Sequence, residues 1–120
     1  GGEFVADAVI ANPPCMGHIH VCEALAIPLH IMFPQPWYYG TKAFPHPMAG
    51  LKYTEGRNSN KLSYDVFNTM EYTSFLKFYN KWRKSTLKLP KLVASGGQFV
   101  STCEIPFSAM WSPAFVPKPD

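Results

Sequence analysis

The stretch that decides the fold is Ala6–Phe33, ADAVIANPPCMGHIHVCEALAIPLHIMF. Ala8-Val9-Ile10-Ala11 is a short apolar run stopped by Asn12-Pro13-Pro14, the pattern of a strand buried on both faces. A helix is predicted from about Gly17 to Ala26. Ile27–Phe33 then resumes a β-rich pattern, with Pro28 near its start, where a missing N–H is tolerated. Strand, helix and strand at this spacing make a βαβ unit of a parallel sheet, with a right-handed crossover. Ligands of such sheets gather outside the carboxyl ends of the strands, so Asn12–His18 and Phe33–His46 should lie side by side at the functional rim.

Working outward, 120 residues allow a single α/β domain, and 47% hydrophobic content is enough to form a core. The prolines cluster at 13–14, 34–36, 45–47 and 113–119. Large apolar residues surround each cluster, which predicts ordered, extended loops rather than a disordered tract. No apolar run is long enough to span a membrane, and the first residues lack the layout of a signal peptide. Gly1–Phe4 reads as a vector remnant. Cys15, Cys22 and Cys103 are too few for a disulfide scaffold and predict reduced thiols in a cytoplasmic protein.

The net charge of +3 is modest, but its distribution is uneven. No acidic residue lies between Tyr72 and Cys103, where Lys77, Lys81, Arg83, Lys84, Lys88 and Lys91 fall. A solvated helix face explains that run. An anionic membrane surface is the functional alternative, which would make the chain peripheral on membranes. No nucleic-acid-binding signature accompanies it.

After the second strand, Pro34–Pro47 places Trp37, Tyr38, Tyr39 and Phe44 in one long loop, the composition of a binding loop. Gly56–Asn60 is a turn and a source of an N-cap. A long helix should follow from about Lys61 to Leu87 and end before Leu89-Pro90. Leu62, Val66 and Met70 share one side of it. Tyr64, Phe67, Phe75, Phe78, Tyr79 and Trp82 crowd the other, so contacts on two sides are expected. Ser95-Gly96-Gly97 is a turn, and Gln98–Cys103 a short strand or helical turn. Ile105–Trp111 reads as a third buried strand, and Ser112–Pro119 as an extended arm. About three strands is a small sheet, which predicts a fragment of a larger α/β domain with an exposed edge prone to self-association.

Cys15-x-x-His18-x-His20-x-Cys22 has spacing suited to zinc, but no second Cys or His pair lies nearby and no metal is expected. Cys15 with His18 as a nucleophile pair lacks an obvious orienting carboxylate, with Asp7 and Glu23 the candidates for that role. Cys22 is better read as a small buried hydrophobe. His18 sits at a helix amino terminus just beyond a strand, where developing negative charge is favoured. His30 reads as a core or rim histidine. Asn12, His18, Trp37 and His46 together fit a mostly apolar pocket with a few polar groups.

Three segments then carry a resemblance. ADAVIANPPCMGHIHVCEALAIPLHIMF, PQPWYYGTKAFPHPMAGL and MWSPAFVPKPD resemble the sterol 3β-glucosyltransferases of fungi and plants, in the branch with PPxxGHxHxxEAL, MPWxxTxxFPHP and WSPxxVPKPxDW. The segment from Asn80 through Arg83 to Leu87 is similar to the family's N-x-x-R-x-x-x-L. The resemblance covers about Ala6 to Asp120. It implies a partial Rossmann-like parallel sheet with flanking helices. Residues 5–120 would form the later part of the amino-terminal, acceptor-binding domain of a GT-B enzyme.

Such enzymes transfer glucose from UDP-glucose to the 3-hydroxyl of a membrane sterol, inverting the anomeric centre without a tightly bound metal. By this resemblance the acceptor side is supplied by Asn12, Pro13, His18, Phe33, Trp37, Phe44 and His46. The sterol and the remaining parts of the enzyme are the partners. No cofactor and no catalytic residue is expected in this stretch, because the family's catalytic Asp lies upstream and its nucleotide signature downstream. Asn12 stands where related small-molecule glycosyltransferases keep an Asp, so that carboxylate role is absent. Gln35, Tyr38 and Tyr39 also depart from the family's Thr-Met-Pro-Trp-Thr-Pro, which would reshape the acceptor mouth. The alternative reading is a non-catalytic lipid- or membrane-surface module using Lys77–Lys91.

Overall fold

A computed structural model describes residues 4–13, 16–54, 57–97, 99–100 and 104–118. Three short strands, β1 (Val9–Ala11), β2 (Leu29–Phe33) and β3 (Phe107–Ala109), form a parallel sheet in the order β1-β2-β3. Val9 pairs with Leu29 and Ala11 with Ile31, while Ile31 also faces Phe107. Helix α1 (Gly17–Leu25) connects β1 to β2, as the opening stretch predicts. Ala26 ends α1 in the left-handed region, at φ 53°, and Ile27 N–H returns to the Cys22 carbonyl at 3.0 Å. Glycine is the usual residue for such a cap, so Ala26 holds it at some strain.

Among the described residues the sheet is covered on one face only. Ile31 and Phe33 point into the core, where Met16, Tyr38, Tyr72, Phe99 and Val100 meet them. On the other face Ile10 is 71% exposed, and His30 bonds Ser108 Oγ at 2.7 Å. The expectation of a first strand buried on both faces is therefore corrected. Strand alternation sends Ile10 away from α1, and no described element lies over that side. β3 is also partly exposed rather than buried. Parallel sheets are normally covered on both faces, so this surface is suited to further packing.

Helix α2 (Asn58–Trp82) is 25 residues long and starts three residues before the predicted boundary. Asn60, expected among the capping turn, lies inside it. Its Nδ2 donates to the carbonyls of Lys42 at 2.8 Å and Thr54 at 2.6 Å, tying the first turn to the preceding loop. At about 1.5 Å per residue α2 projects well beyond the small sheet. The radius of gyration, 16.2 Å, accordingly exceeds the roughly 14 Å of a compact domain of this length. Tyr64 and Tyr72 are buried, whereas Leu62, Val66, Met70, Phe75 and Phe78 are exposed. Contact on two sides is thus only partly found among the described residues: the side bearing Tyr64 and Tyr72 is packed, while the Leu62, Val66 and Met70 side is flanked by Met48 and Leu51 and otherwise open.

The end of α2 passes into a π-helical turn, Arg83–Leu87, closed by Lys88 in the left-handed region at φ 58°. The chain then runs back along the helix, stitched by two side chains. Asn80 Nδ2 donates to the Leu92 carbonyl at 3.0 Å while its Oδ1 accepts Leu92 N–H at 2.7 Å. Arg83 Nε donates to the Pro90 carbonyl at 2.9 Å. The N-x-x-R segment is therefore a clamp on the returning strand of chain. Asn80→Ala removes two bonds, for a loss of about 2 kcal/mol. Hydrogen exchange should show it as faster exchange at the Leu92 amide, with β2 protection unchanged.

Ala94–Gly96 forms a single 3-10 turn before Gly97 at φ 77°, matching the turn expected there. Ser112–Val116 is a turn, with Phe115 and Val116 N–H groups bonding the Ser112 carbonyl at 2.9 and 3.0 Å, and not an extended arm. Gly1–Glu3 of the expected remnant Gly1–Phe4, Gly56 of the expected Gly56–Asn60 turn, Cys15, Cys103 and most of the Gln98–Cys103 segment lie outside the described residues. No helix among the described residues is long and apolar enough to cross a membrane.

Candidate acceptor-side site

The loop after β2 folds against the start of α2, and an aromatic stack holds the two together. His46 lies flat on Phe67, ring centroids 3.9 Å apart and planes 18° from parallel. Trp37 stands 6.0 Å from His46 and 5.7 Å from Phe33, edge-on to Phe33. Tyr64 closes the other side of His46 at 5.2 Å and points its hydroxyl to the Phe44 carbonyl at 3.4 Å. Backbone bonds complete the seam, with His46 N–H donating to Ser63 Oγ at 2.8 Å.

This stack backs an open groove of about 440 Å³ along α2, lined by Met48, Leu51, Leu62, Val66, Phe67 and Met70 among others. Phe67 belongs to both the stack and the groove. The groove is apolar, with Ser59 and Ser63 at its edge, which suits a flat hydrocarbon ligand with few polar groups. Leu62, Val66 and Met70 were legible in the sequence as one helix face. Their role as a wall was not, because only the fold brings Met48, in the Pro47–Ala49 turn, and Leu51, just after it, alongside them.

His46 is 1% exposed and is an internal strut. Its Nδ1 accepts Met48 N–H at 3.1 Å, which puts the ring proton on Nε2. Burial lowers its pKa to about 4, so the imidazole is neutral near pH 7. Phe33, 2% exposed, is likewise core. These two support the wall from behind instead of lining its surface, while Trp37 and Phe44 are half-buried.

The amino-terminal half of the predicted rim stands apart. Pro13 and His18 line a crevice of only about 10 Å³ between β1, α1 and β2, too small for a ligand. Asn12 is exposed. The two loops do meet through Tyr38, whose hydroxyl reaches Met16 Sδ at 3.9 Å, but both residues are buried there. The structure thus gathers Phe33, Trp37, Phe44 and His46 and leaves Asn12, Pro13 and His18 outside that cluster.

The Cys–His run does not converge. His18 is exposed, whereas His20 is buried. Cys22 is buried, and burial raises its thiol pKa, which suits an inert core position. No group of three His, Cys, Asp or Glu side chains comes together among the described residues.

His20 belongs to a polar node that the sequence did not reveal. Arg83, 2% exposed, donates through Nη1 to Glu23 Oε2 at 2.6 Å and through Nη2 to Oε1 at 2.9 Å. Nη1 also lies 2.9 Å from His20 Nδ1. Tyr79, Trp82 and Phe99 ring the imidazole at 4.7 to 6.1 Å. The node locks α1 to the end of α2. A spacing rule that treats Arg83 as one more solvated cation has no means of finding it.

The chain aligns with known enzymes over nearly all of its length. It is 43% identical over 119 residues to one sterol 3-beta-glucosyltransferase of Arabidopsis thaliana and 41% identical over 116 residues to a second. The chain is a homologue of the sterol 3-beta-glucosyltransferases. A fungal sterol 3-beta-glucosyltransferase, from Leptosphaeria maculans, is 36% identical over 114 residues. These alignments take in 99%, 97% and 95% of the chain, but only 18%, 18% and 8% of the respective relatives. The chain therefore spans less than a fifth of each of these three glucosyltransferases. No family model matches it.

Proposed function

We propose that this chain forms an acceptor-side wall of a UDP-glucose-dependent sterol glucosyltransferase, as part of the amino-terminal domain of a GT-B enzyme. The observation that carries the reading is the apolar groove backed by Phe67 and His46, in a chain 43% identical to a plant sterol 3-beta-glucosyltransferase. A sterol is rigid, flat and almost wholly apolar, so such a groove gains affinity by removing hydrocarbon surface from water. Trp37, Phe44 and His46 hold the groove's backing in place. Proton removal from the sterol hydroxyl falls to a residue beyond this set. His20 and His46 each engage Nδ1 in a hydrogen bond and are held neutral by burial, which makes them poor bases. The open face of the sheet is suited to the remainder of the domain.

Turnover of UDP-glucose with ergosterol or sitosterol by the full-length protein tests the reading; no sterol glucoside with any sterol would end it. Within the groove, Val66→Asp should raise the apparent KM for sterol about tenfold and leave UDP-glucose binding unchanged. A lowered melting temperature with an unchanged KM would show instead that protein, not sterol, covers Val66.

A further inference from the structure

A second surface has a different chemistry. Lys77, Lys81, Lys84 and Lys91, with Asn80 and Ser85, surround a shallow groove of about 570 Å³ on the solvent side of the α2 terminus. The fold sorts the cations of this segment. Arg83 turns inward to Glu23 and contributes nothing to the surface charge. Lys88 caps the π-helical turn through Ser85 O at 2.7 Å, and the remaining four lysines converge on the groove. No acidic residue lies anywhere from Tyr72 to Cys103 to offset them. Lys77 and Lys81 are four apart on the helix and Lys81 and Lys84 three apart, spacings at which like charges repel. The helix dipole offsets part of that repulsion at this carboxyl-terminal end, but no acidic side chain of the same segment neutralises the four ammonium groups, which fits an external anion.

We infer that this face docks the protein on an anionic lipid bilayer, with the lysines against the headgroups. Two observations select a bilayer over a nucleic acid. Phe78, 66% exposed, flanks Lys81 on the helix and supplies an apolar side chain able to enter the acyl boundary. The cations on this face are all lysines, acting as point charges, with no arginine fork for base or phosphate recognition. Covering the groove with another part of the same protein would strand four ammonium groups, whereas the Leu62, Val66 and Met70 face can be covered without such a penalty. Docking by this face would bring an enzyme with a water-insoluble acceptor to the phase that holds it, but the inference rests on the charge and does not require that activity.

The test is flotation of the full-length protein with vesicles of phosphatidylcholine alone or with about 30 mol% phosphatidylserine. Binding should require the anionic lipid and fall away at about 1 M salt. Lys77→Gln, Lys81→Gln and Lys84→Gln combined should weaken it roughly 100-fold, and Phe78→Ser alone about tenfold. If the triple variant proves unstable, Lys91→Gln, outside the helix, should still lower binding about fivefold. Equal binding to neutral and anionic vesicles, or full binding by the triple variant, overturns the inference. So does retention of RNA by the unaltered protein at a salt concentration where it fails to bind anionic vesicles. Vesicle binding is read without turnover, so an enzyme inactive toward sterols leaves this result standing on its own.

Discussion

Glu23→Ala is expected to destabilise the protein by about 3 kcal/mol, although Glu23 itself lies near the surface. The reason is what it leaves behind. Arg83 is 2% exposed, and its two-pronged bond to the carboxylate, at 2.6 and 2.9 Å, is the only ion pair it makes among the described residues. Without it, a guanidinium stays buried with a neutral imidazole and one carbonyl for company. Breaking a buried pair from one side costs about 3–5 kcal/mol. The low end applies because the Glu23 side chain is 45% exposed, so water can replace part of what is lost. Glu23→Gln keeps the shape and one acceptor and should lose about half as much. Urea unfolding of the full-length protein measures both. A loss below about 1 kcal/mol for the alanine variant would mean the pair behaves as an exposed contact.

Acid should destabilise the fold well above the ordinary carboxylate range. His20 is lowered to about 4, first by burial and then by the Arg83 charge, and His46 to about 4 by burial. A histidine whose folded pKa is depressed takes up its proton first in the unfolded chain, so the unfolded state binds more protons between pH 6.5 and 4. Stability is full above pH 6.5 and falls as the pH drops through that window. The structural cause is the same at both sites: Nδ1 already accepts a hydrogen bond, from Arg83 at His20 and from Met48 N–H at His46, and a proton there abolishes it. Glu23, lowered by its bond to Arg83, adds a further loss below 4.5. Together the two histidines should remove at least about 3 kcal/mol by pH 4.5. Urea midpoints across this range measure the loss, and His46→Gln should flatten the slope by about half. An imidazole signal from either ring titrating near 6.5 would contradict the assignment.

The groove and the node differ in how far they could be read in advance. Leu62, Val66 and Met70 fall on one helix face by spacing alone, so half of the groove was visible before any coordinates. By spacing Phe67 falls on the opposite arc, yet it bridges the groove and the His46 stack. Parallel-sheet topology puts Asn12–His18 beside Phe33–His46, and strand order does make them neighbours. It could not say that Pro13 and His18 would close on a space too small to use while Trp37 and His46 turn toward α2. Loop direction is set by contacts with Ser63, Tyr64 and Phe67, far away in sequence.

Local pattern therefore determined the βαβ order, the parallel sheet and the long helix, because alternation, periodicity and punctuation by proline and glycine act over a few residues. The tertiary structure alone decided which charges are free and which apolar faces are open. Lys81 and Arg83 are two residues apart in one basic run, yet one faces solvent and the other is buried against Glu23. Ile10 and Ile31 both sit in apolar strands, and only the second is covered. The physical reason is common to both cases. Burial and pairing depend on what another segment brings opposite a side chain, and that partner is 60 residues away for Arg83.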